Sequence, residues 1–230
     1  KNVNINSICK SIDKDIDGII TAKLTSNEII MNYYNNDGSW ETLCVNGTRC
    51  VALVLYKKYK KTVFTIKCGD GIHKTKITNN NISVSMSKPK YITNKIEIEN
   101  LTGYYIDSGA KHFIIKIDNN WPSRNQLVSI AKKIRYNKQI FPDGINVNFY
   151  KIIDDSTLEV ITYEKGIENL VQSCASGSYA CAYHISRKSL NKKFLVLNNG
   201  GNLLIKFSPK FQQNDITAKA KIESIYIAEL

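Results

Sequence analysis

"LCVNGTRC" (Leu43–Cys50) and "SCASGSYACA" (Ser173–Ala182) share one layout. Each runs Cys, any residue, Asn or Ser, Gly, Thr or Ser, and then small and apolar residues. The leading cysteines, Cys44 and Cys174, stand 130 residues apart. Both motifs open runs that are apolar nearly all round at their starts, "NGTRCVALVLYKKYKK" and "GSYACAYHISRKSL", which predicts two helices buried at the centre of their units. Strand signals precede and follow each one. The arrangement is one α/β unit built twice, not a continuous solenoid.

Most of the remaining chain reads as short strands. "IIMNYY", "TVFTIKC", "NISVSMS", "HFIIKID", "INVNFYKI", "LEVITYE", "NLLIKF" and "ESIYIAEL" are rich in β-branched and aromatic residues, and several alternate. Asn, Gly and Asp clusters punctuate them. A third helix is predicted over "SRNQLVSIAKKIRYN", amphipathic and outside, with Ser123 as its N-cap. The predicted class is α/β (α+β): two pseudo-symmetric units, each a mostly antiparallel sheet or barrel around a central buried helix, with the active site in the cleft between them. The first unit is expected over residues 1–90 and the second over 91–221. The last strand, 222–230, is expected to return to the first unit.

The 230 residues suffice for a sizeable core, and a content of 43% hydrophobic and 23% charged residues is ordinary for a globular chain. No apolar run approaches bilayer length and no signal-peptide pattern is present, so neither a membrane nor secretion is expected. The chain begins at Lys1, so a segment upstream is expected. The net charge of +12 is compatible with a polyanionic partner. However, only Arg49, Arg124, Arg135 and Arg187 are arginines, and the lysines are scattered apart from "YKKYKK". Arginine is the residue that reads phosphates and bases, so no nucleic-acid partner is expected. The six cysteines (Cys9, Cys44, Cys50, Cys68, Cys174 and Cys181) include no C-x-x-C pair, so no metal site is expected. Their low density at this chain length argues for reduced thiols in a cytoplasmic protein.

A cysteine at a helix start sits among unpaired backbone N–H groups, whose field favours thiolate over thiol. The same N–H groups bind anions. Two such starts facing each other would hold a carboxylate between two sulfurs. One thiolate could remove the proton from the adjacent carbon while the opposite thiol supplies one to the other face. That is stereoinversion without a cofactor. Cys50 and Cys181, inside the apolar helices, read as buried packing residues, and Cys9 and Cys68 carry no motif.

At this point the chain resembles the diaminopimelate epimerases and, more broadly, the cofactor-independent two-cysteine amino-acid racemases. "NNDGSWETLCVNGTRC" (Asn35–Cys50) is similar to the family's Asn-Ala-Asp-Gly-Ser … Cys-Gly-Asn-Gly-Ala-Arg-Cys motif. "EKGIENLVQSCASG" (Glu164–Gly177) is similar to its Glu-Arg-Gly … Cys-Gly-Thr/Ser-Gly motif. "DSGAKHFII", "FPDGINVNF" and "NNGGNLLIKF" resemble further family segments, and all come in family order. The resemblance implies that Cys44 and Cys174 are the acid/base pair and that Asn46, Gly47, Ser176 and Gly177 form the helix starts that cradle the reacting carboxylate. It implies that Asn35 and Asn146 hold the distal end of the substrate, that Glu164 receives the distal ammonium, and that Lys165 stands where an arginine grips the distal carboxylate. No cofactor is implied, the partner is a small amino acid, and a homodimer is compatible. The expected reaction interconverts LL- and meso-diaminopimelate, in lysine and cell-wall precursor synthesis.

The chain departs from the family at Val45 and Ala175, where Gly follows each cysteine, at Lys165, and at Ala110–Lys111. The "DKDIDG" segment (Asp13–Gly18) departs as well, and the family's N-terminal Gly-Asn-Asp-Phe strand is absent. Two alternatives therefore stay open: a racemase of another amino acid on the same fold, and a non-catalytic relative that binds an amino acid.

Overall fold

The computed structural model describes residues 4–12, 16–25, 28–98 and 100–222. The chain divides into two compact units. One holds the described residues up to Ser85 together with those from Thr217, and the other spans Met86–Ile216.

The first unit opens with a short helix, α1 (Ile5–Ser11), capped by the Asn4 side chain on the Ser7 N–H. Strands β1 (Gly18–Leu24), β2 (Ile29–Asn35) and the two-residue β3 (Trp40–Glu41) lead into α2 (Val45–Tyr59). Strands β4 (Val63–Cys68), β5 (Gly71–Thr78) and β6 (Asn81–Met86) follow. The strand order is β1-β2-β4-β5-β6. β2 and β4 run parallel, joined through α2, while β1/β2, β4/β5 and β5/β6 are antiparallel. β4, β5 and β6 alternate strictly, placing Phe64, Ile66, Ile77, Ile82 and Val84 on the buried face. α2 packs on β4 and β5.

The second unit comprises β7 (Lys90–Ile98), β8 (Leu101–Asp107), β9 (Lys111–Lys116), α3 (Arg124–Arg135), β10 (Asn146–Asp154) and β11 (Thr157–Glu164). These are followed by β12 (Asn169–Val171), α4 (Ala175–Ser186), β13 (Lys193–Leu197) and β14 (Leu203–Phe207). Its order is β14-β13-β11-β10-β9-β8-β7, with β9/β10 and β11/β13 parallel. β9 and β10 read as continuous buried runs because helices cover both faces. α4 packs on β9, β10, β11, β13 and β14 and buries ten of its twelve residues. α3 lies outside, laying Leu127, Ala131 and Ile134 on the core of Phe113, Phe141, Phe149 and Tyr163. Its start is a full capping box: Ser123 Oγ accepts from the Gln126 N–H, and Gln126 Oε1 accepts from the Ser123 N–H. The last described strand, β15 (Asn214–Lys219), is followed by residues 220–222, and the expected strand over 222–230 falls outside the described residues from 223 on.

The repeat is visible in topology. A hairpin (β1/β2, β10/β11) is extended by a short antiparallel strand (β3, β12), then a helix, then a strand parallel to the second hairpin strand (β4, β13), and its antiparallel partner (β5, β14). Two expectations need correction. α2 is buried only on one side past its first turns, leaving Val54 and Tyr59 exposed, because its outer face carries Lys57 and Lys58. A fourth helix, α1, was not foreseen, since seven residues are too few to show a period.

Candidate active site

Cys44 and Cys174 are the N-caps of α2 and α4. Their backbone angles agree closely, φ −124° and ψ 99° against φ −123° and ψ 106°. Val45 and Ala175 therefore leave both helix starts in one conformation. Each cysteine carbonyl accepts the first helical hydrogen bond, from the Thr48 and Ser178 N–H, both at 2.9 Å. Thr48 Oγ1 also donates to the Cys44 carbonyl at 2.9 Å, and Ser178 Oγ donates to Asn198 Oδ1 at 3.1 Å.

The two sulfurs have different neighbours. Cys44 Sγ accepts from the Gly47 N–H at 3.3 Å, as a serine N-cap oxygen would. Cys174 Sγ instead lies 3.6 Å from Ser176 Oγ. Ser176 Oγ is 3.0 Å from His112 Nε2, and His112 Nδ1 is 2.8 Å from Asn148 Oδ1. Asn148 Nδ2 donates to Thr162 Oγ1 at 2.6 Å, which turns its oxygen toward the imidazole. His112 Nδ1 must then carry the proton and Nε2 must accept. Burial lowers the His112 pKa to about 4, so the ring is neutral. The single Ser176 hydroxyl proton goes to Nε2, leaving Ser176 Oγ to accept from the Cys174 thiol.

Close approach requires glycine at position 177 and presses far less on position 47. A Cβ on Gly47 would lie 2.9 Å from Ile20 Cδ1 and 3.0 Å from Met31 Cε, and one on Gly177 only 2.0 Å from Asn148 Nδ2. Arg49, 6% exposed, donates from Nη2 to Asn46 Oδ1 at 2.8 Å, which fixes the Asn46 side chain. Burial lowers its pKa, and the neighbouring Cys50 and Cys44 oppose that shift.

The other expected site residues fall into two groups. Asn35 is fully buried at the end of β2. Its Nδ2 donates to Ser39 Oγ at 2.9 Å, and its Oδ1 has no hydrogen-bond partner among the described residues. Asn146, Glu164 and Lys165 come together in the second unit. Asn146 Oδ1 accepts from the Lys165 N–H at 2.9 Å, and its Nδ2 donates to the Lys111 carbonyl at 3.1 Å. Asn146 thus braces the turn that carries Glu164 and Lys165. Glu168 completes that turn. Its Oε1 accepts from Arg135 Nη2 (2.7 Å), Arg135 Nε (3.1 Å) and the Gly166 N–H (3.1 Å), and its Oε2 accepts from the Tyr136 hydroxyl (2.9 Å). Burial raises the Glu168 pKa, but these donors together lower it below the usual value. Sequence reasoning assigned no role to His112 or Glu168, although both lie inside segments quoted above.

No family model matches the chain. Curated diaminopimelate epimerases do match it. The protein from Hydrogenobaculum sp. (strain Y04AAS1) is 30% identical over 199 residues, 82% of this chain and 72% of that protein. The one from Archaeoglobus fulgidus is 32% identical over 196 residues, 79% and 69% of the two chains. The chain belongs to the diaminopimelate epimerase family. Its members in curated collections are isomerases, and this chain is an enzyme of that kind. The Aquifex aeolicus (strain VF5) member is 29% identical over 87% of this chain and 76% of its own length. Among solved structures, a phenazine-biosynthesis PhzC/PhzF protein from Clostridium difficile (strain 630) superposes with a TM-score of 0.72 at 12% identity, over 100% of this chain and 90% of that one. A PhzF-family protein from Enterococcus faecalis gives 0.68 at 12% identity, over 98% and 90%. At that identity the likeness is one of fold alone. It places this chain with mixed α/β proteins built on a large sheet with few helices. Among the described residues no helix is long and apolar enough to cross a membrane.

Proposed function

We propose that the chain epimerises diaminopimelate, interconverting the LL and meso forms with Cys44 and Cys174 as a two-base pair. The observation that carries this reading is the pair of cysteine N-caps with matching backbone angles in a repeated topology. In the forward direction the Cys44 thiolate takes the proton from the carbon beside the carboxylate. The Cys174 thiol gives its proton to the opposite face of the planar carbanion. The products are a Cys44 thiol, a Cys174 thiolate and the inverted carbon, and in reverse the roles exchange. First-turn N–H groups at Asn46–Gly47 and Ser176–Gly177 hold the carboxylate and its developing charge. The buried, unpartnered Asn35 Oδ1 suits a donor from the distal ammonium, and Glu164 and Lys165 complete the distal contacts. The reaction needs no cofactor. The cysteines call for a reducing, cytoplasmic setting, and the product serves lysine and cell-wall precursor synthesis.

A second reading, a racemase of another amino acid, is favoured by two observations. Lys165 lacks the bidentate fork of arginine. Asn146 spends both ends of its amide on the backbone. Incubation in heavy water with diaminopimelate and a panel of L-amino acids separates the readings. Deuterium at the α carbon of diaminopimelate supports the first. Deuterium entering a different amino acid alone overturns it in favour of the second.

A further inference from the structure

The β4–β5 hairpin carries a second cluster of chemically capable side chains, "CGDGIH" (Cys68–His73). Cys68 ends β4, Asp70 sits in the turn, and His73 is the third residue of β5, opposite Ile66. Alternation puts Cys68 and His73 on the same buried face, 8% and 1% exposed, and the Asp70 side chain reaches over from the turn. Their ligand atoms all lie within 4.8 Å of one another. We propose that Cys68, Asp70 and His73 form a binding site for a single divalent ion of the zinc type.

Two features support this site. The first is the donor set of thiolate sulfur, imidazole nitrogen and carboxylate oxygen, which is what zinc takes. Ligand atoms on a tetrahedral ion at about 2.0–2.3 Å lie roughly 3.5 Å apart, so side-chain movements of about an ångström suffice. The second is the imidazole's outer partner. His73 Nδ1 lies 2.7 Å from the Ser85 carbonyl and must donate to it, which aims Nε2 at the cluster. A backbone carbonyl behind a histidine is the usual support of a metal ligand. His73 Nε2 already lies 2.9 Å from Asp70 Oδ1, so two of the three ligand atoms are in contact before any ion binds. Gly71 leaves the turn open, since nothing lies within 4 Å of where its Cβ would stand.

The cluster also braces the start of α2. The Asp70 N–H donates to the Thr42 carbonyl at 3.2 Å. Thr48 Oγ1 lies 3.8 Å from Cys68 Sγ and donates to the Cys44 carbonyl. The earlier expectation of no metal rested on the lack of C-x-x-C pairs. This set is instead C-x-D-x-x-H, closed by a hairpin.

The test titrates Co²⁺ into reduced full-length protein carrying Cys44→Ser and Cys174→Ser, so that neither motif thiol contributes. Expected are a near-ultraviolet thiolate-to-cobalt band and four-coordinate visible bands at one cobalt per chain, with Zn²⁺ displacing the cobalt. Adding Cys68→Ala should abolish the near-ultraviolet band. His73→Gln or Asp70→Asn should weaken binding at least tenfold. Absence of the band in the folded double variant, or a band unchanged by Cys68→Ala, overturns the proposal. If the double variant does not fold, wild type against Cys68→Ala is measured instead: loss of band intensity equal to one thiolate supports the site, and identical spectra overturn it.

Discussion

Replacing Gly177 by Ala should cost far more stability than replacing Gly47, although the two occupy equivalent places in the repeat. At Gly177 the new Cβ meets Asn148 Nδ2 at 2.0 Å and Cγ at 2.8 Å. Asn148 is fully buried and cannot swing away without losing its bonds to Thr162 and His112. Overpacking costs about 1–3 kcal/mol, and each buried group left unpaired about 1–3 kcal/mol more. The helix preference of Ala over Gly returns about 1 kcal/mol. The net loss is about 3 kcal/mol. At Gly47 the Cβ meets Ile20 Cδ1, Met31 Cε and, at 3.3 Å, Cys44 Sγ; the tips of Ile20 and Met31 can rotate, so overpacking and helix preference nearly cancel, within about 1 kcal/mol. Urea unfolding followed by circular dichroism reads both. With a slope of about 3 kcal/mol per molar urea, Gly177→Ala should lower the midpoint by about 1 M at unchanged slope. A Gly177→Ala midpoint equal to wild type, or a larger loss in Gly47→Ala, would refute the account of the Asn148 network.

Cys44→Ala and Cys174→Ala should each abolish epimerisation in both directions, chiefly through kcat, with Ser nearly as damaging because a hydroxyl is a far weaker acid. Cys50→Ala and Cys181→Ala should cost about 1 kcal/mol of stability with activity kept, and an inactive but folded Cys50→Ala would mean that the reacting sulfurs are misassigned. His112 is neutral in the fold with its pKa lowered to about 4, so the unfolded chain binds more protons between pH 6.5 and 4. Its stabilisation is therefore present above pH 6.5 and lost as pH falls toward 4, by about 3 kcal/mol in all. The pH dependence of unfolding in His112→Gln should be flatter over that window by this amount, and parallel curves would contradict the buried neutral ring. Glu168→Gln weakens the charged bonds that hold the Glu164–Lys165 turn, so KM should rise with kcat little changed. A lowered kcat at constant KM would show that the turn does more than hold the substrate.

How much was legible in the chain differs between elements for physical reasons. The repeat could be read because helix starts are local. A cap residue, a small residue at the third position and an apolar run lie within ten residues, and the capping box at Ser123–Gln126 is equally compact. The strands could be read from β-branched alternation, but not their partners. That β2 lies parallel to β4 and β11 to β13 depends on where the intervening helix packs, which is settled by burial of the whole unit. The relay from Cys174 to His112 joins residues far apart in sequence, and the Glu168 clamp depends on Arg135 arriving from α3. Likewise Cys68, Asp70 and His73 read as a cysteine without a motif until the hairpin closed them on one face. The sequence by itself determined which residues open the helices and which faces are apolar, because propensity and capping act over a few neighbouring residues. Only the tertiary structure decided which polar groups meet, because a buried donor takes whatever acceptor the packed strands bring within about 3 Å of it.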